Sequence, residues 1–169
     1  MKLNYQPIIE WARTRGILDQ STAQFQMLKA TEEHGEMAGA ILRGDRDELI
    51  DAIGDQLVVA IVQCAQLGYD VGEAAYACIT YHFSGNREST LAELCHAALQ
   101  VTAAQGSVSC ALAKGRDASY EFRVLFTTLF ALCAVENISP HEALDSVYAI
   151  ISKRGGEMRN GVWVKTEDL

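Results

Sequence analysis

The stretch that decides the fold runs from Met27 to Leu67 and reads MLKATEEHGEMAGAILRGDRDELIDAIGDQLVVAIVQCAQL. It holds two acidic clusters, Glu32-Glu33-His34-Gly35-Glu36 and Asp47-Glu48-Leu49-Ile50-Asp51 with Asp55 behind it. Both lie in runs whose apolar residues recur at helical spacing. Gly44-Asp45 interrupts them, which predicts two helices, about Ala23 to Leu42 and about Arg46 to Leu67. A connection this short makes the pair antiparallel.

A helix advances about 100° per residue. On that geometry Gln26, Lys29, Glu33, Glu36 and Ala40 share one narrow stripe. Glu48, Asp51 and Asp55 share another, continued by Val58 and Val62. The two stripes can face each other. Carboxylates converging from two helices cannot all stay ionised without compensation. Their hard oxygen atoms suit magnesium or manganese, and such a cluster suits ions that hold a polyphosphate and activate a water. Lys29, one turn before Glu33, can pair with a carboxylate or a phosphate oxygen. The competing reading is a solvated acidic face. Against it stand the run after Asp55, apolar all round, and the small residues Gly35 and Gly54 beside the carboxylates.

Outward from this stretch the chain stays helical. Asn4 to Arg15 is a short amphipathic helix ended by Gly16, and Leu18 to Ser21 reads as a loop. Ser21 or Thr22 caps the first acidic helix and Asp45 or Asp47 the second. Gly68 stops the latter, and Asp70 opens a helix over about Val71 to His82. Ser84-Gly85-Asn86 is a turn. Further helices run from about Ser89 to Lys114, from about Ala118 to Val135 and, after Ser139-Pro140, from about Pro140 to Lys153. Asn160-Gly161 then gives a turn into the extended Val162-Trp163-Val164.

With 169 residues, 49% of them hydrophobic, the chain can bury one real core. Two prolines among abundant Ala and Leu favour an all-α helical bundle. The net charge of −8 argues against non-specific binding to nucleic acid or an anionic membrane. No run approaches the roughly 18 apolar residues of a transmembrane helix, and Met1 to Gln20 has no signal-peptide apolar region. The five cysteines, Cys64, Cys78, Cys95, Cys110 and Cys133, are odd in number and widely spaced. They read as reduced thiols of a cytoplasmic protein.

The sequence also carries a degenerate internal repeat. Setting Gly35 on Gly106 brings Gly44 onto Gly115 and "GEMAGAILRGDRD" over "GSVSCALAKGRDA". Glu33 then falls on Ala104, Glu36 on Ser107, Glu48 on Ser119, Asp51 on Phe122 and Asp55 on Phe126. The chain divides accordingly into an active half (1–83), a degenerate helical half (84–153) and a C-terminal tail (154–169), all within one domain. One site per chain is expected.

With both flanks in view, "EEHGE" followed by "ELIDAIGDQLVVAIVQCAQLGYD" resembles the MazG-like all-α nucleoside triphosphate pyrophosphohydrolases. That family carries ExxE on one helix and ExxD on the next; Glu33 to Glu36 is similar to the first motif. "WARTRGILDQSTAQFQMLK" and "KRGGEMRNGVWVK" are similar to phage-encoded members. The chain departs from the family where Ala52 replaces the usual Glu three residues before Asp55. The resemblance implies hydrolysis of a (deoxy)nucleoside triphosphate to monophosphate and pyrophosphate. It makes Glu33, Glu36 and Asp55 catalytic, with Glu33, Glu36, Glu48, Asp51 and Asp55 holding Mg2+, or Mn2+ as a substitute. The split between Glu48 and Asp51 stays open. The substrates favoured are dGTP and dATP, in phage control of the nucleotide pool within the host cytoplasm, by a homo-oligomer (dimer or tetramer).

Substrate contacts are expected from Lys29, Gln26, Trp11, Lys153 and Arg154. The basic tail can reach a triphosphate, or simply complement the helix dipole; Trp11 can meet a base or pack in the core. Glu93 to His96 spells ExxH, which a di-iron bundle would need twice. Two rivals remain: a non-catalytic bundle that binds nucleotide or metal, and a purely structural one.

Overall fold

The computed structural model describes residues 3–76 and 89–168. Helix α4, Arg46–Leu67, is the element on which the others are assembled. Gln56 to Cys64 is an unbroken buried run, so the apolar-all-round pattern reflects a helix enclosed by neighbours. Helix α3, Ala23–Arg43, pairs with it as a hairpin. The Thr22 hydroxyl accepts from the Phe25 amide to start α3, and Gly44 ends it at φ 67°. Asp45 then accepts from the Glu48 amide to start α4. Among the described residues no single helix is long and apolar enough to cross a membrane.

A second hairpin is built from α6, Leu91–Ala113, and α7, Ser119–Val135. It packs on the first through α3 against α6 and α4 against α7. The short helices cross over. Helix α5, Val71–Tyr76, follows α4 in sequence but packs on α7, whereas α8, Pro140–Ile151, follows α7 but packs on α4. Gly54 permits the second crossover: a Cβ there would lie 2.5 Å from the Ala143 carbonyl oxygen and from Val147 Cγ2. Gly35 has no such role, since a Cβ there would meet nothing within 4 Å.

At the N-terminus, α1 spans Gln6–Thr14. The expected loop after it is instead a four-residue helix, α2, Ile17–Gln20, entered through Gly16 at φ 73°. Burial of Ile17 holds this turn on α4; so short a helix leaves no periodicity in the sequence. The tail forms a hairpin, β1 Gly156–Arg159 and β2 Val162–Lys165, closed by Asn160 and Gly161, both at positive φ. A 3₁₀ turn, Thr166–Asp168, follows. The turn expected at Ser84 to Asn86, the end of the helix expected to reach His82, and Cys78 lie outside the described residues. Of the other thiols, Cys64 and Cys133 are buried, Cys95 is half-buried and Cys110 is exposed.

Candidate active site: a carboxylate-lined cavity

A cavity of about 280 Å³ opens where α3 and α4 meet α1, the end of α8 and the C-terminal hairpin. Its acidic lining is Glu32, Glu33 and Glu36 from α3 and Asp51 and Asp55 from α4. The α4 stripe continues into it as Val58 and Val62, joined by Val59. The facing stripes expected from helical spacing are therefore brought together at one place.

Two members of the expected set lie elsewhere. Glu48 is not among the lining residues; its carboxylate meets Arg43 at 2.5 Å across the α3–α4 turn. It occupies the first turn of α4, a full turn beyond Asp51 towards the hairpin end. At that level α3 presents the fully buried Ala40. Lys153 is exposed and does not line the cavity, whereas the adjacent Arg154 does. Gln26, Lys29 and Trp11 all line it.

Burial sets the electrostatics. Glu33 is 3% exposed. Its Oε1 lies 2.6 Å from Lys29 Nζ, which also reaches Glu32 at 2.8 Å. Glu33 Oε2 is buried without a partner. Desolvation pushes the Glu33 carboxyl up, with Lys29 pulling against it. Burial works to lower Lys29, but its bonds to Glu32 and Glu33 outweigh that and raise it. Asp55 is pushed up to about 7, first by burial and then by the charges of Glu33 and Asp51.

Hard oxygen donors repel one another here, one oxygen has no partner, and a lysine offsets part of the charge. Glu33, Glu36, Asp51 and Asp55 fit a magnesium or manganese ion by donor type. They line the cavity without converging, and among the described residues no three His, Cys, Asp or Glu side chains already form a cage.

The lining also has an aromatic and apolar part: Trp11, Ile17, Ile151, Val162 and Trp163. Trp11 Nε1 donates to the Ile151 carbonyl at 3.2 Å, which fixes the indole at the end of α8. Lys165 and Arg154 supply cations. Glu32, Trp163 and Lys165 escaped the sequence reading. The period-2 alternation that puts Trp163 and Lys165 on one face of β2 was visible, but nothing local says that the tail folds back onto α3. The isolated ExxH pair has a structural use: Glu93 closes the capping box with Thr90 at the start of α6.

Residues 21–80 match the family described as the MazG nucleotide pyrophosphohydrolase domain. The match spans 60 of the chain's 169 residues. Over 59 residues the chain is also 36% identical to an uncharacterized 18.2 kDa protein from the rep-hol intergenic region of Haemophilus phage HP1 (strain HP1c1). That alignment covers 35% of this chain and 36% of the phage protein. No solved structure matches the chain significantly. The MazG-type match contains every acidic residue at the floor of the cavity. Trp11, Arg154, Trp163 and Lys165 lie outside it.

Proposed function

We propose that the chain is a metal-dependent pyrophosphohydrolase of nucleoside triphosphates, releasing a monophosphate and pyrophosphate. The observation that carries this reading is a cavity whose carboxylates lie inside the MazG-type match and whose indoles are brought to it from outside. Carboxylates from facing helices line it together with indoles and aliphatic side chains. A nucleotide has the same two parts, an anionic chain and a flat base.

In this reading Glu33, Glu36, Asp51 and Asp55 hold Mg2+, with Mn2+ as a substitute. Magnesium bound there supplies a polarised water and neutralises the phosphate chain. Glu33 Oε2, which has no partner, is free to take a proton from the attacking water. Lys29, which pairs with Glu32 and Glu33, would meet a phosphate oxygen, as would Arg154 in the same lining. Gln26, held by a bond from its Nε2 to Ser21 Oγ at 3.2 Å, presents its amide to the substrate. Purine deoxynucleotides, dGTP and dATP, are the substrates we favour, since two indoles suit a large base. The work belongs to phage control of the host-cell nucleotide pool.

The test is product analysis on a panel of deoxynucleoside and ribonucleoside triphosphates with magnesium. Pyrophosphate and the monophosphate are expected in equal amounts. Release of inorganic phosphate and a diphosphate, or no turnover by folded protein, contradicts the proposal. Ala52, where the family has a carboxylate, favours a second reading: a bundle that binds nucleotide or metal without reaction. In that case nucleotide binds and is recovered intact.

A further inference from the structure

The C-terminal hairpin is fastened to the cavity by contacts that carboxylate chemistry does not need. Arg15, at the end of α1, stands behind the lining. Its Nη2 donates to the carbonyls of Ile151, Ser152 and Arg154 at 3.3, 3.1 and 2.8 Å. The Ile151 carbonyl also accepts from the Arg154 amide and from Trp11 Nε1. The Arg15 guanidinium carbon also lies 5.2 Å from the ring centroid of Trp11 and 5.3 Å from that of Trp163, within stacking range of both indoles. One side chain thus ties α1, the end of α8 and the hairpin together.

The hairpin is shaped around the same indole. A Cβ on Gly156 would lie 2.4 Å from the Val164 carbonyl oxygen and 2.8 Å from the Trp163 ring, so glycine is what lets Trp163 lie against β1. Two residues on, Lys165 lines the same cavity. Residues two apart on a strand share a face about 7 Å apart. The hairpin therefore places a flat aromatic surface and a cation along the cavity, in the order in which a nucleoside phosphate presents base and phosphate.

We infer that the C-terminal hairpin, pinned by Arg15, is the nucleoside-recognition wall of this site: Trp163 and Trp11 flank the base, and Lys165 meets the phosphate chain. The inference rests on the nucleotide reading of the cavity. Arg15 is a positioning residue, touching the wall and not the ligand.

The chain has two tryptophans, and both are in this wall. Intrinsic fluorescence therefore reads it without a label. With magnesium, deoxyguanosine monophosphate should quench the wild-type emission saturably, while inorganic tripolyphosphate, which has phosphates and no base, should leave it unchanged. Trp163→Ala should raise KM about tenfold at nearly constant kcat, and Trp163→Phe should recover most of that loss. Arg15→Met should raise KM similarly and shift the emission to the red. No binding of the monophosphate, binding without a quench, or an unchanged KM in Trp163→Ala overturns the inference. Quenching in a protein that hydrolyses no nucleotide supports the wall and overturns the pyrophosphohydrolase reading. Turnover without quenching does the reverse.

Discussion

In α3 the buried positions include Ala30, Glu33, Met37, Ala40 and Ile41; in α6 they include Val101, Ala104, Val108, Ala111 and Leu112. The offset that sets Gly35 on Gly106 superposes these sets one for one. The same offset puts Asp51 on Phe122 and Asp55 on Phe126, and both phenylalanines are fully buried. The two hairpins therefore share a frame and differ in what fills it. Around α7, Phe122 and Phe126 join the apolar core; around α4, the equivalent positions are carboxylates beside a cavity. The reciprocal crossing of α5 and α8 gives the frame an approximate two-fold plan, with the carboxylate-lined cavity on the α3–α4 side. Where α7 buries two phenylalanines, α4 has an exposed Asp51 and a half-buried Asp55.

That comparison can be broken from the silent side. Phe126→Asp would open a hole and bury an unpaired carboxylate where there is no cavity to receive it. A loss of about 4 kcal/mol in denaturant unfolding is expected. A loss below about 1 kcal/mol would mean that the α6–α7 hairpin tolerates charge as the α3–α4 hairpin does.

The seam between the hairpins gives a smaller effect. Gln105 Nε2 donates to Gln56 Oε1 at 3.0 Å and to the Ala30 carbonyl at 3.2 Å, and Gln56 Nε2 reaches Met37 Sδ at 3.0 Å. These buried bonds tie α6 to α3 and α4 directly behind the carboxylates. Gln105→Leu should cost about 2 kcal/mol, because two buried acceptors lose their donor. Denaturant midpoints at constant m would show it.

The smallest effect has a sign set by Asp55. Its folded pKa of about 7 lies above the 3.8 of an unperturbed aspartate, so between those values the folded state binds more protons than the unfolded chain. Stability from this group is present at low pH and lost as pH rises through 7. The lowered pKa of His34, caused first by burial, acts in the opposite direction, so the informative quantity is a difference. In metal-free protein, the Tm gap between Asp55→Asn and wild type should widen in favour of the variant from pH 5 to pH 8. Magnesium should then raise the wild-type Tm more than that of the variant. A gap independent of pH would remove the strained carboxylate from the account.

The helices were legible in the sequence because each carries both a period and a stop: Thr22 and Gly44 bound α3, Asp45 and Gly68 bound α4, and Ser139-Pro140 opens α8. The floor of the cavity was legible for the same reason, since 3.6-residue spacing is a local property. Spacing overreached at Glu48, where the stripe continues but the cavity has ended. It lost phase at Lys153 and Arg154, just past the end of α8, where a step of one residue turns the side chain away. The aromatic wall was illegible because it joins α1 to β2 from opposite ends of the chain, and only the folded structure brings Arg15 against both Trp11 and Trp163.

The most direct test is magnesium-dependent pyrophosphate release by matched variants of the two hairpins. Glu36→Gln should reduce release from dGTP and dATP by roughly a thousandfold with the fold intact, as expected when a charge-stabilising group is lost. Ser107→Ala, the counterpart on α6, should stay within about twofold of wild type, as an exposed substitution does. Activity retained in Glu36→Gln, or lost equally in both, would contradict a single site on the α3–α4 hairpin.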